Sequence, residues 1–159
     1  MNKTKKKKFK LNNIAIIFII AIFFIIDRYL KKVAISFQEK ELILIKNLFS
    51  FQFTPNRNIA FSLPLPINIT LPLTIIIITG LIAFLIFLIK KEKLNNLYLF
   101  SLLLIIFGAI SNLIDRLEFK YIIDYLYIKN FSVLNLADLM ISLGALLYLV
   151  KLYKNNSPS

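Results

Sequence analysis

The sequence predicts an α-helical polytopic membrane protein, with four transmembrane helices and a small extracytoplasmic β-structured segment between helices 1 and 2. Three observations lead there. Apolar residues make up 58% of the 159, with a mean hydropathy of +0.76. A soluble domain of this size has too much surface for its volume to hide that much apolar area. The apolar residues gather into four long runs, and the charged residues between the runs differ in kind from one side to the other.

Six lysines within Met1–Lys10 lead into an apolar run from Ile14 to Ile26, giving a first span over about residues 11–30. A basic start before an apolar run also describes a signal peptide, but no small-residue cleavage pattern follows, so helix 1 is expected to remain as an anchor. The second span is Ile67–Ile89, 23 uncharged residues that end at Lys90-Lys91-Glu92-Lys93. The third is Leu94–Ile114, 21 uncharged residues, and the fourth runs from about Phe131 to Val150. Each is long enough to cross a hydrocarbon layer of about 30 Å as a helix. Gly80, Gly108 and Gly144 fall one to a helix in spans 2 to 4, where they suit close helix approach. The whole chain, 1–159, reads as one domain.

Charge fixes the expected orientation. With both termini and the 90–93 loop inside, that side holds 11 basic residues against Glu92 alone, while the outer segments hold 9 basic and 7 acidic residues. This is the positive-inside bias. It also accounts for the net charge of +12 through lysines meeting anionic lipid, without nucleic acid. One long outer segment, about 32–66, contains Leu48–Thr54, whose alternation puts Phe49, Phe51 and Phe53 on one face. That period is a strand's, and a lone strand is unstable, so a small sheet against the membrane is expected. Pro55, Pro64 and Pro66 bound the turn that follows.

Composition restricts the chemistry. Without His or Cys there is no Ser-His triad, no thiol nucleophile, no disulfide and no ordinary zinc site. Any hydrolysis must rest on carboxylates, Lys, Tyr or hydroxyls. Ionisable groups at the ends of membrane helices are costly unless paired or wet, and four clusters qualify. Asp138 stands one turn after Asn135 on the same helix face. Asp124 lies within the apolar and aromatic stretch Tyr121–Tyr127 of the 115–130 loop, at the interface that tyrosines favour. Asn112 shares a face with Asp115 and Arg116, which are expected to pair and lock the loop. Asp27 and Lys31, four residues apart at the end of helix 1, are expected to pair as an anchor. Glu39-Lys40-Glu41 reads as solvated surface.

Asp124 and Asp138, from different outer elements, suggest a chemistry that works without histidine. Two close carboxylates titrate as a coupled unit sharing one proton. The ionised partner can take a proton from water as it attacks a peptide carbonyl, while the protonated partner hydrogen-bonds the carbonyl oxygen and later helps the amine leave. Polar residues gathered at the outer edge, and not near mid-membrane, argue against a transporter or channel subunit. A non-enzymatic scaffold would tolerate loss of either carboxylate.

Four stretches carry a family resemblance. They are Asp27-Arg28-Tyr29-Leu30-Lys31, Asn56–Ser62, Gly108–Leu117 leading to Ile122-Ile123-Asp124-Tyr125, and Phe131–Asp138. In this order, at the outer ends of four spans, they resemble the lipoprotein signal peptidases (signal peptidase II), the intramembrane aspartic proteases of bacteria. The resemblance implies a catalytic dyad of Asp124 and Asp138 that cuts before the lipid-modified cysteine of a prolipoprotein. It implies supporting roles for Asp27, Asn56, Asn112, Arg116 and Asn135, beside the structural Lys31 and Asp115. It implies a bacterial plasma-membrane enzyme, active at the outer leaflet as a monomer, with no metal or organic cofactor and with the antibiotic globomycin as inhibitor. In the family the outer segment forms a β-sheet and a short helix that cradle the substrate. Membrane lipids, prolipoproteins and an upstream diacylglyceryl transferase are the implied partners. The chain departs from the family pattern at Asn58 and Ser111, both at glycine positions, and at Tyr125 and Leu134, both at phenylalanine positions.

Overall fold

The structure, a computed structural model, describes residues 3–38, 40–57 and 66–156, with side chains from residue 12 to 155 within those ranges. Glu39, the Asn58–Ser62 part of the second motif and Pro64 lie outside the described residues, and the described part of the outer segment contains strands but no short helix. The elements in chain order are α1 (Lys3–Ser36), β1 (Glu41–Ile45), β2 (Phe49–Asn56), α2 (Ile67–Lys90), α3 (Asn96–Phe119), β3 (Ile122–Ile128), β4 (Ser132–Leu134) and α4 (Leu136–Asn156).

Among the described residues, four helical stretches are long and apolar enough to cross a membrane: Asn12–Ser36, Ile67–Lys90, Asn96–Phe119 and Leu136–Asn155. α3 is the central one and packs against each of the other three. Of its apolar stretch 56% is buried, against 11% for α1 and α2, whose Phe18, Ile25, Ile76 and Ile77 point outward. In lipid such outward faces need no protein cover. Some helix hydroxyls bond back to the preceding turn, Thr74 Oγ1 to Thr70 O at 2.7 Å and Ser101 Oγ to Leu97 O at 2.7 Å, so these two are not left bare in hydrocarbon.

α3 starts where the Asn95 side chain accepts from Tyr98 N at 2.9 Å, and it stops at Lys120, which takes the left-handed conformation with φ 66°. Glycine brings α3 and α4 together. A Cβ on Gly108 would lie 2.6 Å from Ala137 O, and one on Gly144 would lie 2.6 Å from Ser101 O. Gly80 has nothing within 4 Å of its Cβ position, so the close approach expected there is not formed. Gly80 is exposed, on a face free to meet lipid.

The sheet is antiparallel, in the order β1-β2-β3-β4. It is larger than the outer segment alone provides. The stretch expected to be an interfacial loop after helix 3 supplies β3, with Phe51 opposite Leu126 and Thr54 opposite Asp124. A bulge between Phe51 and Thr54 bends β2 just before the site. The fourth helix starts at Leu136, five residues later than Phe131, because Ser132–Leu134 pairs with β3 instead. The sheet rests on the C-terminal end of α1: Phe51, Ile123 and Tyr125 close over Ala34, with Phe37 edge-on to Phe51 at 5.8 Å.

Candidate active site

Three elements converge where the sheet meets the helix ends. β3 carries Asp124, the start of α4 carries Asp138, and the last turns of α3 carry Asn112, Asp115 and Arg116. Asn135, the residue before α4, lies between the two carboxylates. Its Nδ2 donates to Asp124 Oδ1 at 2.7 Å, and its backbone N–H donates to Asp138 Oδ2 at 3.3 Å. Asn135 Oδ1 in turn accepts from Asp138 N at 2.9 Å, a reciprocal capping arrangement that fixes Asp138 in the first turn. One residue thus touches both aspartates.

Each carboxylate has a second amide donor. Asn56 Nδ2, at the end of β2, reaches Asp124 Oδ2 at 2.8 Å. Asn112 Nδ2 reaches Asp138 Oδ1 at 2.8 Å. The Asn112 amide is oriented by the partners of its other end, because Oδ1 accepts from Lys31 Nζ at 2.8 Å and from Asn135 Nδ2 at 3.2 Å. Reversing that amide would aim Oδ1 at a carboxylate and the NH₂ at an ammonium, so a single orientation satisfies the network.

Beneath lies a buried ion network. Lys31 Nζ sits 2.7 Å from Asp115 Oδ2 and 3.3 Å from Asp27 Oδ2, all three side chains being essentially inaccessible. The expected pairing of Asp27 with Lys31 is present. The expected pairing of Asp115 with Arg116 is not: Asp115 pairs with Lys31 and with Arg28 Nη1. Consecutive residues of a helix diverge by about 100° and do not face each other. Arg116 is buried, 8% exposed, and interacts electrostatically with Asp138, Asp115 and Asp124. Asp27 accepts from Ser111 Oγ at 2.5 Å, Tyr125 Oη at 2.9 Å and Ala137 N at 3.1 Å.

Asp124 is 1% exposed. Burial first, then the neighbouring charge of Asp138, pushes its carboxyl up to about 7 against the amides of Asn56 and Asn135. Asp124 therefore holds a proton under conditions where an ordinary aspartate is ionised. Among the described residues, no group of three or more His, Cys, Asp or Glu side chains gathers to hold a metal ion.

The chain that carries this amide-braced pair of aspartates has relatives among known proteins. The family model for signal peptidase (SPase) II matches residues 19–154, which takes in all the residues just described. The chain belongs to the signal peptidase II family. Relatives of signal peptidase II type, each described as a lipoprotein signal peptidase, include one from Clostridium tetani that is 32% identical over 147 residues, covering 88% of this chain and 93% of the relative. Another, from Caldicellulosiruptor bescii, is 38% identical over 125 residues, covering 78% and 81%. Two solved structures titled as bacterial membrane enzymes share the fold. One has a TM-score of 0.79 at 20% identity over 91% of this chain and 93% of its own. The other has 0.76 at 21% identity over 89% and 94%. This signal peptidase II family member is a multi-pass membrane peptidase, and its four membrane-length helices and antiparallel sheet share the fold of those structures.

All nine residues singled out in the sequence, from Asp27 to Asp138, lie in this one connected region. Three others belong to it and were not singled out. Arg28 gave only the weak signal of a cation just past the apolar run. Ser111 and Tyr125 stood out only as departures from the family pattern.

Proposed function

We propose that this chain removes the signal peptide from diacylglyceryl-modified prolipoproteins, hydrolysing the bond before the lipid-modified cysteine with Asp124 and Asp138 as a catalytic dyad. The observation that carries this reading is that Asn135 hydrogen-bonds both carboxylates at once, which holds the two at one reaction centre. Asp124, protonated up to about pH 7, donates to the scissile carbonyl oxygen. Asp138, which accepts hydrogen bonds from Asn112 Nδ2 and the Asn135 N–H, takes a proton from the attacking water. The tetrahedral intermediate collapses as the amine leaves with the proton that Asp138 received. Asn56, Asn112 and Asn135 keep the carboxylates aimed, Asp27, Lys31 and Asp115 keep the asparagines aimed, and Arg116 balances the site's negative charge.

The membrane supplies the rest of the positioning. The lipid-modified cysteine is confined to the leaflet where its acyl chains lie, so the scissile bond is presented near headgroup level. We place both termini on the cytoplasmic side and the dyad at the outer leaflet of a bacterial plasma membrane, on the charge distribution given above. The enzyme acts as a monomer, and globomycin inhibits it by occupying the substrate groove.

The test is cleavage of a diacylglyceryl-modified prolipoprotein by purified enzyme in nanodiscs, with unlipidated substrate as control. Wild type is expected to cut before the modified cysteine. Asp124→Asn and Asp138→Asn are each expected to lose at least about 10³-fold in kcat, the scale of removing an essential acid or base. Near-wild-type turnover by either variant would falsify the dyad.

A further inference from the structure

The first backbone N–H groups of a helix have no partner inside it. In α4 three different groups meet them. Leu136 N donates to Tyr125 Oη at 3.0 Å, Ala137 N to Asp27 Oδ1 at 3.1 Å, and Asp138 N to Asn135 Oδ1 at 2.9 Å. Tyr125 Oη donates to that same Asp27 oxygen at 2.9 Å. The other Asp27 oxygen accepts from Ser111 Oγ at 2.5 Å. Asp27, Ser111 and Tyr125 are each 0% exposed, so bulk water does not replace a lost donor. Burial, with the Asp27 charge beside it, holds the Tyr125 phenol above its ordinary range and keeps it a donor.

The chain order gives this cluster its meaning. Tyr125 directly follows Asp124 in β3, and Ala137 directly precedes Asp138 in α4. A hydroxyl–carboxylate–amide chain, Tyr125 Oη to Asp27 Oδ1 to Ala137 N, therefore joins the immediate neighbours of both dyad members. Ser111 adds a tie from α3, one residue before Asn112, whose amide holds Asp138.

We propose that Tyr125 and Ser111 are positioning residues for the peptidase reaction: through Asp27, their hydroxyls set the separation and orientation of Asp124 and Asp138. This rests on the dyad reading above. Neither hydroxyl exists in the family pattern given earlier, where these positions carry Phe and Gly. Two departures, 14 residues apart in the chain, meet on one carboxylate, so this way of bracing the dyad belongs to this chain. A pair sharing one proton is sensitive to small displacements, because both the proton's hydrogen bond and the water's line of attack depend on the spacing.

The experiment uses Tyr125→Phe, Ser111→Ala and the double variant, each compared with wild type in nanodiscs on the lipidated substrate. Each single change deletes one oxygen and leaves the carbon framework. Each is expected to lower kcat about tenfold with KM within about twofold. The double variant is expected to lose little more than the worse single, because both hydroxyls act through the same carboxylate. A single variant that keeps kcat within twofold overturns the proposal. So does a loss that appears in KM alone, or a double loss equal to the product of the singles. Should Tyr125→Phe not fold, Ser111→Ala decides alone by the same split between kcat and KM. Wild type inert on authentic substrate sinks the dyad reading itself, whereas active wild type with unaffected variants sinks only the positioning role.

Discussion

Asp124 binds its proton far more tightly when folded than a free aspartate does, and this has two measurable consequences. The first concerns rate. On the proposed mechanism, Asp124 gives up its proton above about pH 7 and no longer serves as the acid that polarises the carbonyl. A plot of kcat against pH is expected to fall about tenfold per unit on the alkaline side, with its bend near 7. A plateau extending to pH 9 would remove Asp124 as the acid. The second concerns stability. The folded carboxyl lies near 7 against an ordinary value of 3.8, so the folded state binds more protons between those limits. The resulting stabilisation is complete below about pH 4 and is lost as pH rises through 7. Asp124→Asn should flatten the downward slope of Tm over that window, and an unchanged slope would assign it to other groups. At this scale the sequence was highly legible: the paired carboxylates and their asparagines stood out because charge is scarce among so many apolar residues. Arg28, Ser111 and Tyr125 were not legible as members of the site. Whether a serine bonds its own helix or a distant aspartate is decided by packing, which the residue type alone does not carry.

Among the elements, α3 and α4 depend on two glycines of unequal consequence. The position of a Cβ on Gly108 lies 2.6 Å from Ala137 O, backbone in the turn that holds Asp138, and 2.9 Å from Ile141 Cγ1. Gly144 makes the same kind of contact with Ser101 O, two turns further from the dyad. Overpacking of this sort costs about 1–3 kcal/mol. Gly108→Ala and Gly144→Ala should therefore both lower Tm in detergent, but only the former should also lower kcat markedly, because it displaces the start of α4. Gly80→Ala, with open space around it, should leave Tm unchanged or raised, since alanine is the better helix former. Equal kcat for the Gly108 and Gly144 variants would show that the start of α4 tolerates the shift. Four spans were readable from apolar run length alone, yet one glycine in three misled, because no residue type reveals which helix face meets lipid. β4 was missed for a related reason. Three residues carry no period, and Ser132–Leu134 is a strand only because β3 lies alongside it.

Across the whole molecule, the polar chemistry and the cationic charge occupy opposite ends of the helix bundle. The carboxylate network joins the C-terminal ends of α1 and α3 to the start of α4, while Lys90, Lys91, Lys93, Lys151 and Lys154 cluster at the other ends of α2, α3 and α4. Such a bundle inserts in one sense. On the positive-inside bias the lysines are expected on the cytoplasmic side, held by the membrane potential and anionic lipid, which leaves the proposed dyad at the outer surface, where acylated substrate would arrive. The absence of any native cysteine makes this orientation directly measurable. Lys129→Cys lies in the turn between β3 and β4, and Lys154→Cys lies on an exposed position of the last turn of α4. In intact spheroplasts a membrane-impermeant maleimide should label the first and spare the second until the membrane is permeabilised. The converse pattern would put the dyad in the cytoplasm, away from exported prolipoproteins, and would overturn the topology together with the substrate it implies. Labelling of both before permeabilisation would place the carboxyl terminus outside and break the four-span count. The predicted pattern follows from one physical asymmetry: basic residues outnumber acidic ones 11 to 1 on one side of the bundle and 9 to 7 on the other.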